Sequence, residues 1–437
     1  MRFLLTKRFW IRVALGLATL VAIALIANGI IAWRMESQLR ARVAAIRAAG
    51  DPASIADLAP PSIPDAENAA ATIERIEPRL KAFSLEYVAF DQSPLGKELD
   101  EMEDRGEPPT KAQIDAIRAI LARYPDIVQA LADAAKCETY ASRLDFSLGS
   151  QKLIEQIIHL QDTIRTAARF SSWRMDVLTA DGRNEEAVKV GIETYRLAKL
   201  YESEPSMVSM LVAIAIRGNV VEHIYDALAA GPVSPAVCAA LDQELARLED
   251  PERMIRTLKS ERAICAGYDG LFPGQPYPIM AHVFGWMVKS YLIGALDYTD
   301  ECVRLAGTPW TEVNAKLGPA DAPRSTGHGI LADLLTPALR ASFEANARTL
   351  AIARALRIQI ALRQFAEKNG REATGLEELT LPADTTADPF SGKPLRLKRT
   401  DDSWVIYSVM PNGVDDGGDF RRLKDYGVAP RKLRLEK

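Results

Sequence analysis

The sequence predicts a mainly α protein in three parts. These are an N-terminal transmembrane helix, an α-helical domain of bundle or solenoid character, and a small C-terminal α+β module built from a long helix and a β-hairpin. Three observations carry this reading. Val13 to Trp33 holds no charged residue and is long enough to cross a bilayer core of ~30 Å. From Asp65 to about Gly307 the apolar residues recur at helical steps of three and four. Strand-like patterning is confined to the stretch after Asp388. The expected division of the 437 residues is an anchor with a short tail (1–34), a juxtamembrane helix and Pro-rich linker (35–64), the helical domain (65–317), a linker (318–338) and the C-terminal module (339–437). That length is ample for a sizeable core. The formal net charge is only -4, and basic residues are scattered along helices rather than striped among aromatics, which argues against a nucleic-acid partner.

The anchor is bracketed by Trp10 and Trp33, as interfacial residues would be. A cleaved signal peptide would have a shorter apolar stretch and a small-x-small site, which is not clear here, so an uncleaved single-pass anchor is expected. Arg2, Lys7, Arg8 and Arg12 precede it and suggest a cytoplasmic N-terminus, while Arg34, Arg40 and Arg42 follow it and pull the other way. The expected location is therefore the inner (cytoplasmic) membrane, with the bulk of the chain on the periplasmic side. Glu36 to Ala49 continues as a polar helix, and Gly50-Asp51-Pro52 and Ala59 to Pro64 read as a stiff, extended linker.

Asp65 can cap a helix to about Phe83. Thr110 with Gln113 three residues on predicts a capping-box start for a helix to Arg123, and Pro125 is placed to open the next, to about Cys137. Leu153, Ile157, Leu160, Ile164 and Ala168 mark an amphipathic helix broken by Asp181-Gly182-Arg183, after which Asn184 caps a helix to about Tyr201. That pair, with Ala187 and Tyr195 inward, looks like one hairpin of a tetratricopeptide-type repeat, without a second clear copy. Pro205, Pro235 and Pro251 are each placed to open further helices. Met207–Ile216 is too short to span a membrane and reads as core. Ile279–Leu296 is longer but holds His282, Lys289 and two glycines; it reads as a core helix, with a membrane-surface helix as the alternative. Gly318–Gly329 reads as an exposed linker. From Ala341 a long helix places Phe343, Ala347, Ala351, Ala355, Ile358, Leu362 and Phe365 on one face and ends at Asn369-Gly370. Leu376–Leu379 is a turn of helix. Pro394–Arg399 and Trp404–Met410 form the hairpin, and a loop with Asn412, Asp415, Asp416 and Asp419 follows.

The order of these last features is distinctive: Asn-Gly ending a long helix, a Leu-Glu-Glu-Leu turn, Asp-Pro-Phe-x-Gly-x-Pro-Leu from Asp388, Tyr-Ser at 407–408, then Asn412-Gly413 and an Asp/Gly loop. It resembles the C-terminal part of the major pseudopilins of type II secretion systems, and a group of membrane-anchored bacterial proteins with the same ending. The likeness covers about the last fifth of the chain. A pseudopilin's apolar N-terminal helix carries an early Glu and runs straight into its globular part, and this chain has neither feature. The ending is therefore read as a borrowed module. The resemblance implies calcium at Asn412, Asp415, Asp416 and Asp419, a set of hard oxygens of the kind Ca²⁺ takes six to eight of. The spacing is not that of an EF-hand, and a solvated Asp/Gly turn explains the same residues.

Catalytic motifs are missing from the sequence: no H-E-x-x-H, no G-x-S-x-G, no P-loop and no G-x-G-x-x-G. His159, His223, His282 and His328 lie far apart. Glu155 and His159 share a helical face, more simply as an ion pair than as half a metal site. Cys137, Cys238, Cys265 and Cys302 show no C-x-x-C spacing and could pair as disulfides or serve as small buried apolar residues. The functional expectation is a membrane-tethered, non-enzymatic scaffold that binds a protein partner in the cell envelope. The alternatives are an enzyme whose acid/base site is assembled by the fold, or a pseudopilus-associated component.

Overall fold

The computed structural model describes residues 7–266, 278–318, 328–400, 404–420 and 424–430. Helix α1 runs unbroken from Lys7 to Ala48, so the apolar run and the polar stretch after it are one element. It is the N-terminal helix long and apolar enough to cross a membrane, and its most apolar window is wholly exposed.

The segment after α1 is docked rather than a free spacer. Ala53 and Ile55 are buried, and a 3-10 turn covers Ile55–Leu58. Asp51 is held by Lys259 and Arg262 at 2.8 Å each. Helix α2 (Ala69–Asp91) is capped by Asn68, whose side chain accepts the Ala70 N–H at 3.1 Å, and not by Asp65, which lies in a preceding 3-10 turn. After α3 (Pro94–Asp104), α4 (Lys111–Leu121) begins with the expected box: Thr110 N–H donates to Gln113 Oε1 at 2.7 Å and Gln113 N–H to Thr110 Oγ1 at 3.3 Å. Pro125 opens α5 (Pro125–Ala134).

The centre is the trio α6 (Ser150–Ala180), α7 (Asn184–Tyr201) and α8 (Met207–Ala230), each packed on the other two. Asn184 is the first residue of α7 rather than its cap. Apolar on most faces, α8 belongs inside; Val220, Val221 and Ile224 are fully covered. Gly191 of α7 is needed for this packing, because a Cβ there would stand 2.5 Å from Ile224 Cγ1. Helices α2, α4 and α5 cover one side of the trio. On the other side lie α9 (Pro235–Ala246) and the later helix α13 (Ile330–Asn369). A second core gathers Met254 and Leu258 of α10 (Glu252–Ala266), Tyr298 and Cys302 of α11 (Pro278–Leu305), and Trp310 and Val313 of α12 (Trp310–Leu317).

Helix α13 starts at Ile330, eleven residues before the expected Ala341, and absorbs Pro337 within its first turns. The earlier part of the expected linker, 319–327, lies outside the described residues. Phe343 and Ala347 enter the second core, while Leu356, Ile358 and Leu362 enter the main one. Gly370 ends the helix in the left-handed conformation, φ 65°, and its N–H donates to Ala366 O. A 3-10 turn (Leu376–Glu378) and a short helix α14 (Ala383–Thr386) follow.

Strands β1 (Arg396–Arg399) and β2 (Trp404–Ser408) pair antiparallel as expected, Leu397 opposite Ile406. A third strand, β3 (Tyr426–Val428), pairs antiparallel with β2, Ile406 opposite Val428, and makes the sheet three-stranded. The Asp-Pro-Phe motif is structural. Asp388 is buried and accepts from Phe390 N–H at 2.9 Å, Ser408 Oγ at 2.7 Å, Ser391 Oγ at 2.9 Å and Val409 N–H at 3.2 Å. Phe390 meanwhile stacks edge-on against Trp310 at 5.3 Å. The motif therefore pins β2 to the second core. All four cysteines are free, Cys238 and Cys302 buried and the other two half-buried.

Candidate functional site

Two adjoining concavities open on the face where α6 and α8 run side by side. Arg165, Arg169, Ser172 and Asp176 recur on α6 at steps of four, three and four, and Asn219, His223 and Asp226 recur on α8 at steps of four and three. The two polar stripes face one another across a pocket of about 380 Å³, with Tyr87 and Trp173 as its aromatic wall. Ser172 Oγ donates to Asn219 Oδ1 at 2.7 Å. His223 Nδ1 meets Asp176 Oδ1 at 2.9 Å, with side chains only 14% and 16% exposed. Burial by itself would push the imidazole pKa down. The charge and hydrogen bond of Asp176, helped by Asp226 and Glu222, outweigh it and hold the pKa above its ordinary value. The pair is therefore an orientated, readily protonated imidazole beside a carboxylate, arranged for proton transfer or for holding an anionic group.

The second concavity is a cleft of about 930 Å³ that shares Asp176 and Asp226 with the first. Its walls come from the ends of α6 and α8, the last turns of α13, the loop before α4, and the hairpin. Tyr225, Leu228, Leu362, Ala366 and Trp404 make it largely apolar, and Arg363, Glu372 and Arg399 add charge to the lining. Arg363 Nη2 donates to Gly231 O at 2.9 Å beyond the C-terminus of α8, where a cation suits the helix dipole. Arg399 lies over the Trp404 ring, 5.2 Å from its centroid. The volume falls within the range typical of pockets that enclose most of a bound ligand.

The loop singled out in the sequence lies elsewhere, at the end of β2. Asp415 Oδ1 accepts from Tyr407 Oη at 2.9 Å and from Gly417 N–H at 3.0 Å, and Oδ2 sits 3.2 Å from Arg396 Nε. Asn412 accepts Val414 N–H at 3.1 Å and donates to Asp416 at 3.4 Å. Asp419 is paired with Lys424 at 3.0 Å. No group of three or more His, Cys, Asp or Glu arranged to hold a metal occurs among the described residues. A carboxylate the sequence reading passed over, Asp425, is fully buried behind this loop and accepts Gly418 N–H at 2.8 Å and Asp419 N–H at 3.3 Å. Burial holds its pKa above the usual carboxylate range.

His223 entered the sequence reading only as one of four scattered histidines. The available signal was a polar stripe, Asn219, His223 and Asp226, inside a largely apolar helix. No known protein family, curated protein or solved structure matches the chain.

Proposed function

We propose that this is a single-pass protein of the inner membrane whose bulk lies on the periplasmic side. There it acts as a non-enzymatic scaffold and engages an extended segment of an envelope protein in the 930 Å³ cleft. The observation that carries this reading is the joint construction of that cleft: helical bundle, α13 and hairpin each supply a wall, so the C-terminal module is part of the binding surface. Its apolar lining and interspersed charges have the makeup of a peptide-binding groove, with Trp404 and Arg399 the kind of residues that anchor partners. The resemblance of the ending to the major pseudopilins supports a partner from secretion or other envelope machinery. The test is photocrosslinking in native membranes from a reactive residue at Ala366, in the cleft, and from one at Lys97, exposed on α3. A defined envelope protein captured from 366 and not from 97 supports the scaffold; identical or empty capture from both sinks it.

A second reading rests on the His223–Asp176 pair: an acid/base centre that the fold assembles in the smaller pocket for a small ligand. A screen of small acids and esters by thermal shift separates the two. A ligand that raises the melting midpoint of the native chain but not of His223→Gln supports the enzyme, provided crosslinking from 366 is unaltered by His223→Gln.

A further inference from the structure

The last half of α1 carries a covered stripe. Asn28, Ala32, Met35, Leu39, Val43 and Ile46 fall at steps of three and four and are half-buried or buried, whereas α1 is exposed throughout from Trp10 to Ala27. Helix α11 packs on α1. The two helices run parallel, because Glu36 pairs with Lys289 at 2.6 Å and, further along both, Arg42 pairs with Asp297 at 2.8 Å. Leu296 packs with Ile46 and Val43 in the same sense. These contacts fix the register. At ~1.5 Å per residue, Pro278 lies about 16 Å back along α11 from Lys289, and Asn28 lies about 12 Å back along α1 from Glu36. Asn28 and Ala32 belong to the uncharged run Val13–Trp33, and Asn28, the one polar side chain of the stripe, is on its covered side. The first turns of α11 therefore lie beside the bilayer section of α1.

The composition of α11 changes at the same level. From Pro278 to Val288 its sequence contains no Asp, Glu, Lys or Arg. Phe284 is 43% exposed, and Trp286, Met287 and Val288 are half-buried. Beyond Lys289 the helix carries Asp297, Asp300, Glu301 and Arg304, and its inner face is buried through Leu292, Leu296 and Cys302.

We propose that α11 is a second membrane element: from Pro278 to Val288 it enters the leaflet nearest the protein body, against α1, and lipid acyl chains cover the Phe284 face. Lys289 and Glu36 then sit at headgroup level, where a Lys stem reaches along apolar surface to place its charge in the polar layer. The body is fixed to the membrane at two points instead of swinging on one. Arg42, Arg262, Asp51, Asp297 and Asp300 join α1 to α10 and α11 just outside the bilayer and hold the wedge rigid.

This inference rests on α1 spanning the membrane, and the experiment separates the two claims. Single cysteines at Ile23, Phe284 and Lys97 are spin-labelled in the full chain with Cys137 and Cys265 replaced by serine, in phosphatidylcholine/phosphatidylglycerol vesicles. Collision with oxygen and with a water-soluble nickel chelate is then measured at each. The labels at 23 and 284 should meet oxygen readily and the chelate several-fold less than the label at 97. Chelate access at 284 equal to that at 97, with 23 shielded, overturns the insertion of α11 and leaves the anchor standing. Access at both 23 and 284 removes the anchor itself. Shielding of 284 from both reagents means protein covers that face and also overturns the proposal. A second readout needs no added cysteine: brominated lipids should quench the native chain more than Trp286→Phe, and equal quenching overturns the insertion.

Discussion

Removing the carboxylate of Glu202 should cost about 3 kcal/mol at neutral pH, and the cost should shrink with acid. Glu202 follows the last turn of α7, where the helix dipole disfavours an anion, and it is 3% exposed. Arg217 of α8 donates to it at 2.7 Å and Arg253 of α10 at 2.8 Å, with a second, shorter contact from Arg253. Burial alone would raise the Glu202 pKa. The charges of the two guanidiniums and their hydrogen bonds reverse this and bring it from 4.5 to about 2. At ~1.4 kcal/mol per tenfold change in proton affinity, that difference is about 3 kcal/mol. The folded pKa is depressed, so the stabilisation is complete above the unfolded value of 4.5 and disappears as pH falls through about 2; at pH 3 only part of it should remain. Glu202→Gln keeps the shape but leaves two buried cations without an anion. Urea unfolding of the full chain in detergent, native against variant at constant m, measures the gap at pH 7 and pH 3. A gap that stays constant between those pH values, or no gap at pH 7, refutes the electrostatic account.

Asp176→Asn should lower the His223 pKa, read from the imidazole Cε1–H shift by NMR with His223→Gln for assignment. Because the native value is raised, the stability it supplies is present below the ordinary 6.5 and is lost as pH rises through the folded value, so the variant should lose stability mainly in acid. Gly191→Ala, which stabilises an open helix, should instead destabilise this one by about 1–3 kcal/mol, because its methyl meets buried Ile224; a gain in melting temperature would contradict the packing of α7 on α8. Asp388→Ala should cost about 3 kcal/mol by stranding the buried N–H groups of Phe390 and Val409, and the loss should show as faster amide exchange in β2. Millimolar calcium should leave the melting midpoint unchanged, because Asp415 and Asp419 are already engaged by Arg396 and Lys424; an upward shift would show that the loop rearranges to take the ion.

What could be read from the sequence was local. Thr110 and Gln113 define a helix start because the two hydrogen bonds lie within four residues. Pro125 opens α5 and Gly370 closes α13 for reasons of φ alone. What could not be read depends on distant residues. Strand β3 is three residues long and has no periodicity; it exists because Ile406 offers Val428 an edge. The docked segment after α1 looked extended because Asp51 meets Arg262 across more than two hundred residues of chain. The polar stripe of α6 was indistinguishable from a solvated face until α8 supplied Asn219 and His223 opposite it.

The same distinction explains why the cleft sits where it does. The first half of α13 is committed to the second core and its last turns to the main core, so the helix ties the two together along its length. The hairpin is fixed to the second core by Asp388 and Phe390 and to the main core by Ile406 and Val428. Tyr225 Oη of α8 also reaches the Trp404 carbonyl, at 3.5 Å. A wall held at three places does not drift, and its inner edge, Arg399 and Trp404, faces the ends of α6 and α8 across the cleft. In the proposed scaffold the hairpin completes a binding surface of which the helical bundle supplies only part. Trp404→Ala should therefore abolish capture from position 366 while leaving the stability of the bundle nearly intact. A variant that unfolds the bundle but still crosslinks would reverse that assignment.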